Sequence, residues 1–376
     1  MRYAKLFCLC LALPLLSCRK EPKPLPAEVE QVTSANPASL LKGFYVLNEG
    51  NMNMNKASLD YFDYYKGTYK RNIYNEINSG NVGGLGDVGN YMAIYGSKLY
   101  LVINNSNKVE VLNAHTGQFI QKIDIRNCRY ITFHEGKAYV SAYLGTIGDP
   151  NAPNGNVSEI DTVTLKITRQ VEVGRQPEEM AVTGNKLYVA NSGGYSAPNY
   201  ENTVSVVDIN DFIEIKKIPV AINLHRLKKD KYGDVYVSSR GDYLNSPSKL
   251  YAIDTQTDQV KKTFDTEVSN LWIDDDTAYI YAMEFNFNTQ KSTISYKTIN
   301  VKDEMLSDQP FIADGIVQNI KTPHGISVNP YTKEIYLTDA GDYLTPGTLY
   351  CFNKEGQKQW QVSTGDIPAH IALLNR

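Results

Sequence analysis

The chain has 376 residues, of which 42% are hydrophobic and 21% charged, with a formal net charge of −3. No basic stripe runs along it, which excludes the clustered Lys and Arg of a nucleic-acid binder. Five cysteines without paired spacing exclude a disulfide framework.

Met1 to Ser17 reads as a targeting segment. Arg2 and Lys5 precede the apolar run Leu6 to Leu16, which is too short to span a bilayer and suits a signal peptide. Leu15-Leu16-Ser17-Cys18 resembles a bacterial lipobox, with Cys18 as the lipidated first residue of the mature chain. Cys8 and Cys10 would leave with the signal, so Cys128 and Cys351 are the thiols expected in the folded part. Residues 18–42 hold Pro22, Pro24, Pro26 and Pro37 and are read as an extended tether, holding the protein to the membrane through its lipid only.

Residues 43–376 carry a repeat. Lys186 to Ser192 (KLYVANS) alternates apolar and polar residues as a half-buried strand does. Related strands centre on Tyr45, Tyr100, Tyr139, Tyr188, Tyr236, Tyr279 and Tyr336, at separations of 39 to 57 residues. Each is preceded by a short strand and a tight turn, and followed by a loop and two more strands. This period predicts an all-β, seven-bladed β-propeller with strands A to D in each blade and the tyrosine on B. The first repeat begins on B at Gly43, whereas the last segment, ending at Asn375, is an A strand without a B. The C-terminal strand is therefore expected to pair beside Phe44 to Leu47 and close the ring.

The two faces of such a disc are unequal. The A–B turns are short, while most B–C loops are long: Asn48–Lys56, Leu144–Asn156, Asn191–Asn202, Arg240–Ser248, Glu284–Lys291 and Ala340–Gly347. These loops share a face with the D–A crossovers, and long loops on a rigid scaffold are where binding concentrates. They are rich in Asn, Tyr, Gly and Pro; turns alone would explain the Asn, Gly and Pro. Their aromatics, among them Tyr195, Tyr243, Phe285 and Tyr343, are less easily explained by turn chemistry. Asn191 stands where a B strand ends. Alignment on the B tyrosines places Asn90, Tyr91, Arg129, Tyr130, Glu179, Arg226, Asn270 and His370 at the starts of A strands, ringing the central funnel. This set of side chains is the candidate ligand-binding site; the alternative is a water-filled channel mouth with partly paired charges.

No nucleophile elbow, phosphate loop or zinc-type histidine spacing is present, and no catalytic residues or metal ligands are assigned. Glu179 and Asn270 are similar to the oxygen ligands of calcium-dependent propeller lactonases, but one Glu and one Asn beside Arg226 are too few. The loop Asp149 to Asn156 is rich in side-chain oxygens that can hold Ca²⁺, although its spacing departs from the EF-hand pattern. Arg240-Gly241-Asp242 is matched by Ala340-Gly341-Asp342, both followed by Tyr-Leu, so the repeated device is Gly-Asp-Tyr-Leu and the arginine is read as incidental.

The B strands, the G-x-x-P crossovers (Gly174 to Pro177, Gly365 to Pro368) and the Val-Val-Asp C strand ending at Asp208 resemble YncE-like seven-bladed propellers from Gly43 onward. With the lipobox, the opening GFYVLNEGN (Gly43 to Asn51) and the Asn/Tyr-rich loops, the chain looks like outer-membrane lipoproteins of gut anaerobes. These include the BtuG type, which captures vitamin B12. That resemblance implies a corrinoid (cobalamin) as ligand, no cofactor, a TonB-dependent outer-membrane transporter as partner, and a lipid-anchored place on the cell surface. A corrinoid is broad, flat and fringed with amides, which neutral Asn and Tyr side chains can meet. Another small ligand, a protein partner, or a lactonase-like enzyme are the alternative readings.

Overall fold

In the computed structural model, residues 27–146, 149, 151–194, 197–286 and 291–376 are described. Among these, the strands form seven antiparallel sheets. Each A strand lies against the A strands of the two neighbouring blades, around a complete ring. The architecture is the seven-bladed propeller expected.

The ring closes through its two ends. Strand A of blade 1 is C-terminal, Pro368–Asn375, and pairs with strand B, Leu41–Asn48, in the register Phe44↔Leu373, Tyr45↔Ala372, Val46↔Ile371 and Leu47↔His370. Strand B begins two residues before the expected Gly43. One part of the expected tether is also structured. Val29–Gln31 adds a fifth strand to blade 1, pairing with strand D, Thr68–Lys70. The reason is that a D strand at the rim leaves a row of unpaired backbone groups, which the passing chain satisfies. An ion pair between Arg71 and Glu28 fastens it.

The core is not central. It consists of seven apolar layers, each between two adjacent blades. This explains the repeated tyrosine. Each one lies in, or packs against, the layer facing the next blade: Tyr45 toward blade 2, Tyr100 toward blade 3, Tyr188 toward blade 5 and Tyr336 across the closure toward blade 1. Several hydroxyls then reach the C–D turn of that next blade. Tyr45 donates to the Ala114 carbonyl at 2.8 Å, and Tyr188 to Asp258 Oδ1 at 2.6 Å. The tyrosine body fills the layer and its polar tip ties the layer shut.

Blade 6 departs from the others. Its strands B and C, Thr277–Asn286 and Lys291–Asn300, are each ten residues long. The stretch Glu284–Lys291, expected as a B–C loop, is largely a strand extension, paired as Phe285↔Ser292 and Asn286↔Lys291. The hairpin therefore projects beyond the loop face, carrying Phe285 on its arm. No helix among the described residues is long and apolar enough to cross a membrane.

Candidate functional site

The A strands converge on the axis, and their first residues do come together. They do not, however, line an open funnel on the loop face. They form a plug. Tyr91, Tyr130 and His370 pack ring against ring, with centroids 5.1 Å apart for Tyr91–Tyr130 and 5.0 Å for Tyr91–His370. Tyr130 Oη bonds His225 Nε2 at 2.8 Å and accepts from Arg226 Nη1 at 3.1 Å. Asn90 donates to the Arg129 carbonyl, and Asn270 donates to the His324 carbonyl at 3.1 Å. These side chains contact one another because seven A strands crowd a narrow axis. Only their outer edges remain for a ligand.

Charges in the plug are arranged in two groups. Glu178 is fully buried; it meets Arg129 at 3.1 Å and Arg240 at 3.2 Å and accepts from Tyr143 Oη at 2.6 Å. Burial pushes its carboxyl up, but the two guanidinium groups and Tyr143 outweigh that and hold it below the ordinary value. Arg240 is therefore not incidental: it is one of two cations on a buried carboxylate. Glu179 accepts from Lys228 Nζ and from the Leu227 amide at 3.0 Å. Burial lowers Lys228, yet Glu179 and Tyr91 raise it further, so it stays charged. His225 is held well below 6.5 by burial and then by Arg240, Arg226 and Arg129. His370 is lowered by burial, then by Arg226, His324 and Lys228. Both histidines are neutral at pH 7.

Asn191 does not reach the loop face. It is fully buried, donating to Thr203 Oγ1 at 3.2 Å and Ser205 Oγ at 2.8 Å on the neighbouring C strand. As the last residue of a B strand it is a structural amide. Tyr195 and Cys18 lie outside the described residues. The candidate Ca²⁺ loop is only partly described; there Asp149 Oδ1 accepts from the Asn151 amide at 2.9 Å. Among the described residues no group of three or more His, Cys, Asp or Glu side chains is placed to hold a metal ion.

The exposed members of the expected site are Tyr243, Tyr343 and Phe285, 57%, 40% and 46% exposed. Tyr243 and Tyr343 share one local design. Asp242 Oδ1 accepts from the amides of Leu244, Asn245 and Ser246 at 2.7–2.9 Å. Asp342 Oδ1 does the same for Leu344 and Thr345. These bonds hold the Asp342 carboxyl down at about 2 and lower that of Asp242. The turn throws each tyrosine into the left-handed region, φ 63° and 62°, and presents the following Leu244 and Leu344 to solvent. Left-handed backbone is costly for a side chain bearing Cβ, about 1 kcal/mol. Two copies of one strained turn, on blades 5 and 7, each present Tyr-Leu on the same face. Met52, Met54 and Leu144 are further exposed apolar groups on B–C loops of this face.

Beside them lies a bowl of about 710 Å³ on the blade 1 side, lined by Asn53, Asn55, Asn75, Asn78 and Asn81 with Met54 and Val82. Most of it comes from the D–A crossover after strand D of blade 1, which includes a short helix, Ile73–Ile77. Attention to the B–C loops alone misses this part. The signal was present in the run Asn75 to Gly84, which is too long and too polar for a simple crossover.

A closed seven-bladed ring with one smooth face and one loop-bearing face defines a β-propeller scaffold suited to binding. The chain belongs to the family described as a domain of unknown function (DUF5074), matched over residues 42–366. No curated protein sequence matches it. Among solved structures it is similar to a hypothetical selenium-binding protein from Sulfolobus tokodaii, at 10% identity and TM-score 0.62, over 90% of this chain and 94% of that one. It is also similar to Kuenenia stuttgartiensis hydrazine synthase, at 14% identity and TM-score 0.57, over 71% and 77%. A functionally unknown protein from Desulfotomaculum acetoxidans matches at 10% and 0.57, over 89% and 99%. At these identities the likeness is one of fold.

Proposed function

We propose that the protein is a lipid-anchored outer-membrane capture protein that binds a corrinoid on its loop face and passes it to a TonB-dependent transporter. The observation that carries this reading is the duplicated pair of turns on the loop face, Tyr243-Leu244 and Tyr343-Leu344, each presenting an exposed apolar tip. A broad, flat ligand needs contact area spread over several blades. The Asn-lined bowl supplies neutral donors and acceptors for amide arms. The anchor at Cys18 rests on the lipobox of the leader, and the surface location on the resemblance to outer-membrane lipoproteins.

The reading is of a binding protein rather than an enzyme. Its support is that Glu179, the residue nearest to a lactonase-type ligand, is already committed to Lys228 and a backbone amide. Saturable hydrolysis of lactones or esters, abolished by Glu179→Gln, would replace this reading with the enzymatic one.

The direct test mixes the protein with cyanocobalamin, desalts it and reads the retained visible absorbance. Removing a central aromatic anchor typically costs ~2 kcal/mol, about thirtyfold in affinity, mostly as faster dissociation. Tyr243→Ala and Tyr343→Ala should show that loss, whereas Tyr65→Ala, on an exposed C–D turn of the opposite face, should not. Equal dissociation rates in all three sink the assignment of the face. Capture of a transporter without retention of any corrinoid would favour a protein-docking role for the Leu244 and Leu344 tips.

A further inference from the structure

Below the plug, the axis of the propeller is open. A channel of about 240 Å³ is lined by A-strand residues of blades 1, 2, 5, 6 and 7. Burial along the A strands gives its direction. In Gly89–Tyr95, Cys128–His134 and Asn270–Asp274 the first residues are buried and the last are half-exposed. The channel therefore opens on the A–B turn face, opposite the loop face, and the plug is its floor.

Floor and mouth differ in chemistry. Ile94, Trp272 and Leu373 line the outer part, and Arg226, Asn270 and His370 the inner part. Arg226 is only 8% exposed, and its Nε has no hydrogen-bond partner. Among the described residues no carboxylate lies within ion-pair distance of it. The nearby acid, Glu179, is taken by Lys228 and the Leu227 amide. Arg226 and Lys228 thus share Glu179 as the carboxylate beside them, and the bonded partner of Arg226 is the Tyr130 hydroxyl rather than an acid; another acid at the axis, Glu49, lies 3.9 Å from His370 Nε2. A buried guanidinium N–H left unbonded is costly, and a guanidinium matches the two oxygens of a carboxylate.

We propose that this channel is a second binding site, entered from the A–B turn face, for a small carboxylate with an apolar body. The carboxylate docks on Arg226 at the inner end of the channel, where a small shift of the guanidinium brings its unbonded Nε to an oxygen, and the apolar body lies between Ile94, Trp272 and Leu373. The site stands apart from the loop face, so it holds whether or not a corrinoid binds there.

Benzoate is a suitable probe, with benzamide as its neutral isostere and inorganic phosphate as an anion lacking the apolar body. Calorimetric titration of the unaltered protein should show saturable benzoate binding, at least about tenfold tighter than benzamide or phosphate. Trp272 fluorescence should change in parallel. Arg226→Gln should reduce benzoate affinity by about tenfold or more. The wild-type comparison of benzoate with benzamide stands even if that variant folds poorly. Equal binding of benzoate and benzamide, preference for phosphate, or no saturable benzoate binding at millimolar concentration would each overturn the proposal.

Discussion

Two tyrosines at equivalent places in the repeat offer a controlled test of what holds the blades together. Tyr188 and Tyr100 are both fully buried on B strands, each in an inter-blade layer. The Tyr188 hydroxyl donates to Asp258 Oδ1 at 2.6 Å, with the Thr255 carbonyl at 3.3 Å. The Tyr100 hydroxyl has no partner among the described residues. Replacing Tyr188 with Phe removes a hydrogen bond to a charged acceptor, worth about 1.5–3 kcal/mol. Asp258 keeps Lys186 at 2.7 Å, so its desolvation stays partly compensated and the lower end applies. The expected loss is about 1.5 kcal/mol, roughly tenfold in the folding equilibrium. Tyr100→Phe removes a buried hydroxyl that bonds nothing, so it should be neutral or stabilising by up to about 1 kcal/mol. Urea unfolding of both variants against wild type, at unchanged slope, measures the pair. Equal losses at the two positions would show that the ring, not its hydroxyl contact, sets the cost.

Deleting Pro368–Arg376 removes strand A of blade 1 with buried Ile371 and Leu374, each worth about 1.5–3 kcal/mol, and exposes the edge of Leu41–Asn48; the truncated protein should aggregate, and an unchanged cooperative melt would refute closure by that strand. Tyr243→Gly relieves about 1–2 kcal/mol of left-handed strain against roughly 0.4–1 kcal/mol of added unfolded-chain entropy, so stability in urea should be unchanged or up to about 1 kcal/mol higher while corrinoid retention weakens, whereas Tyr65→Gly should lose stability and leave retention unchanged. His225 and His370 are both held below their ordinary value of 6.5, so below that pH the unfolded chain takes up protons that the folded one refuses. Stability should be full above pH 6.5 and fall on acidification by up to about 1.4 kcal/mol per pH unit for each histidine. Unfolding midpoints between pH 8 and pH 5 check this, and a double His→Gln variant should flatten the slope.

The sequence by itself determined the ring. Strand period, the seven tyrosines and the unmatched ends at Gly43 and Asn375 are local or periodic features, and each blade repeats one local solution. The twin Gly-Asp-Tyr-Leu turns were also legible, because an Asp that binds the amides two to four residues on is a short-range device. Three things were decided only by tertiary structure. Tyr91, Tyr130, Arg226 and His370 turned from an open funnel rim into a plug because the width of the axis depends on all seven blades at once. Asn191 turned inward because its partners, Thr203 and Ser205, are brought beside it by strand pairing. Arg240 became a partner of Glu178, 62 residues away in the chain, across the boundary between blades 4 and 5. Charge pairing depends on distance in space, and no local pattern encodes which cation finds a carboxylate and which, like Arg226, is left without one.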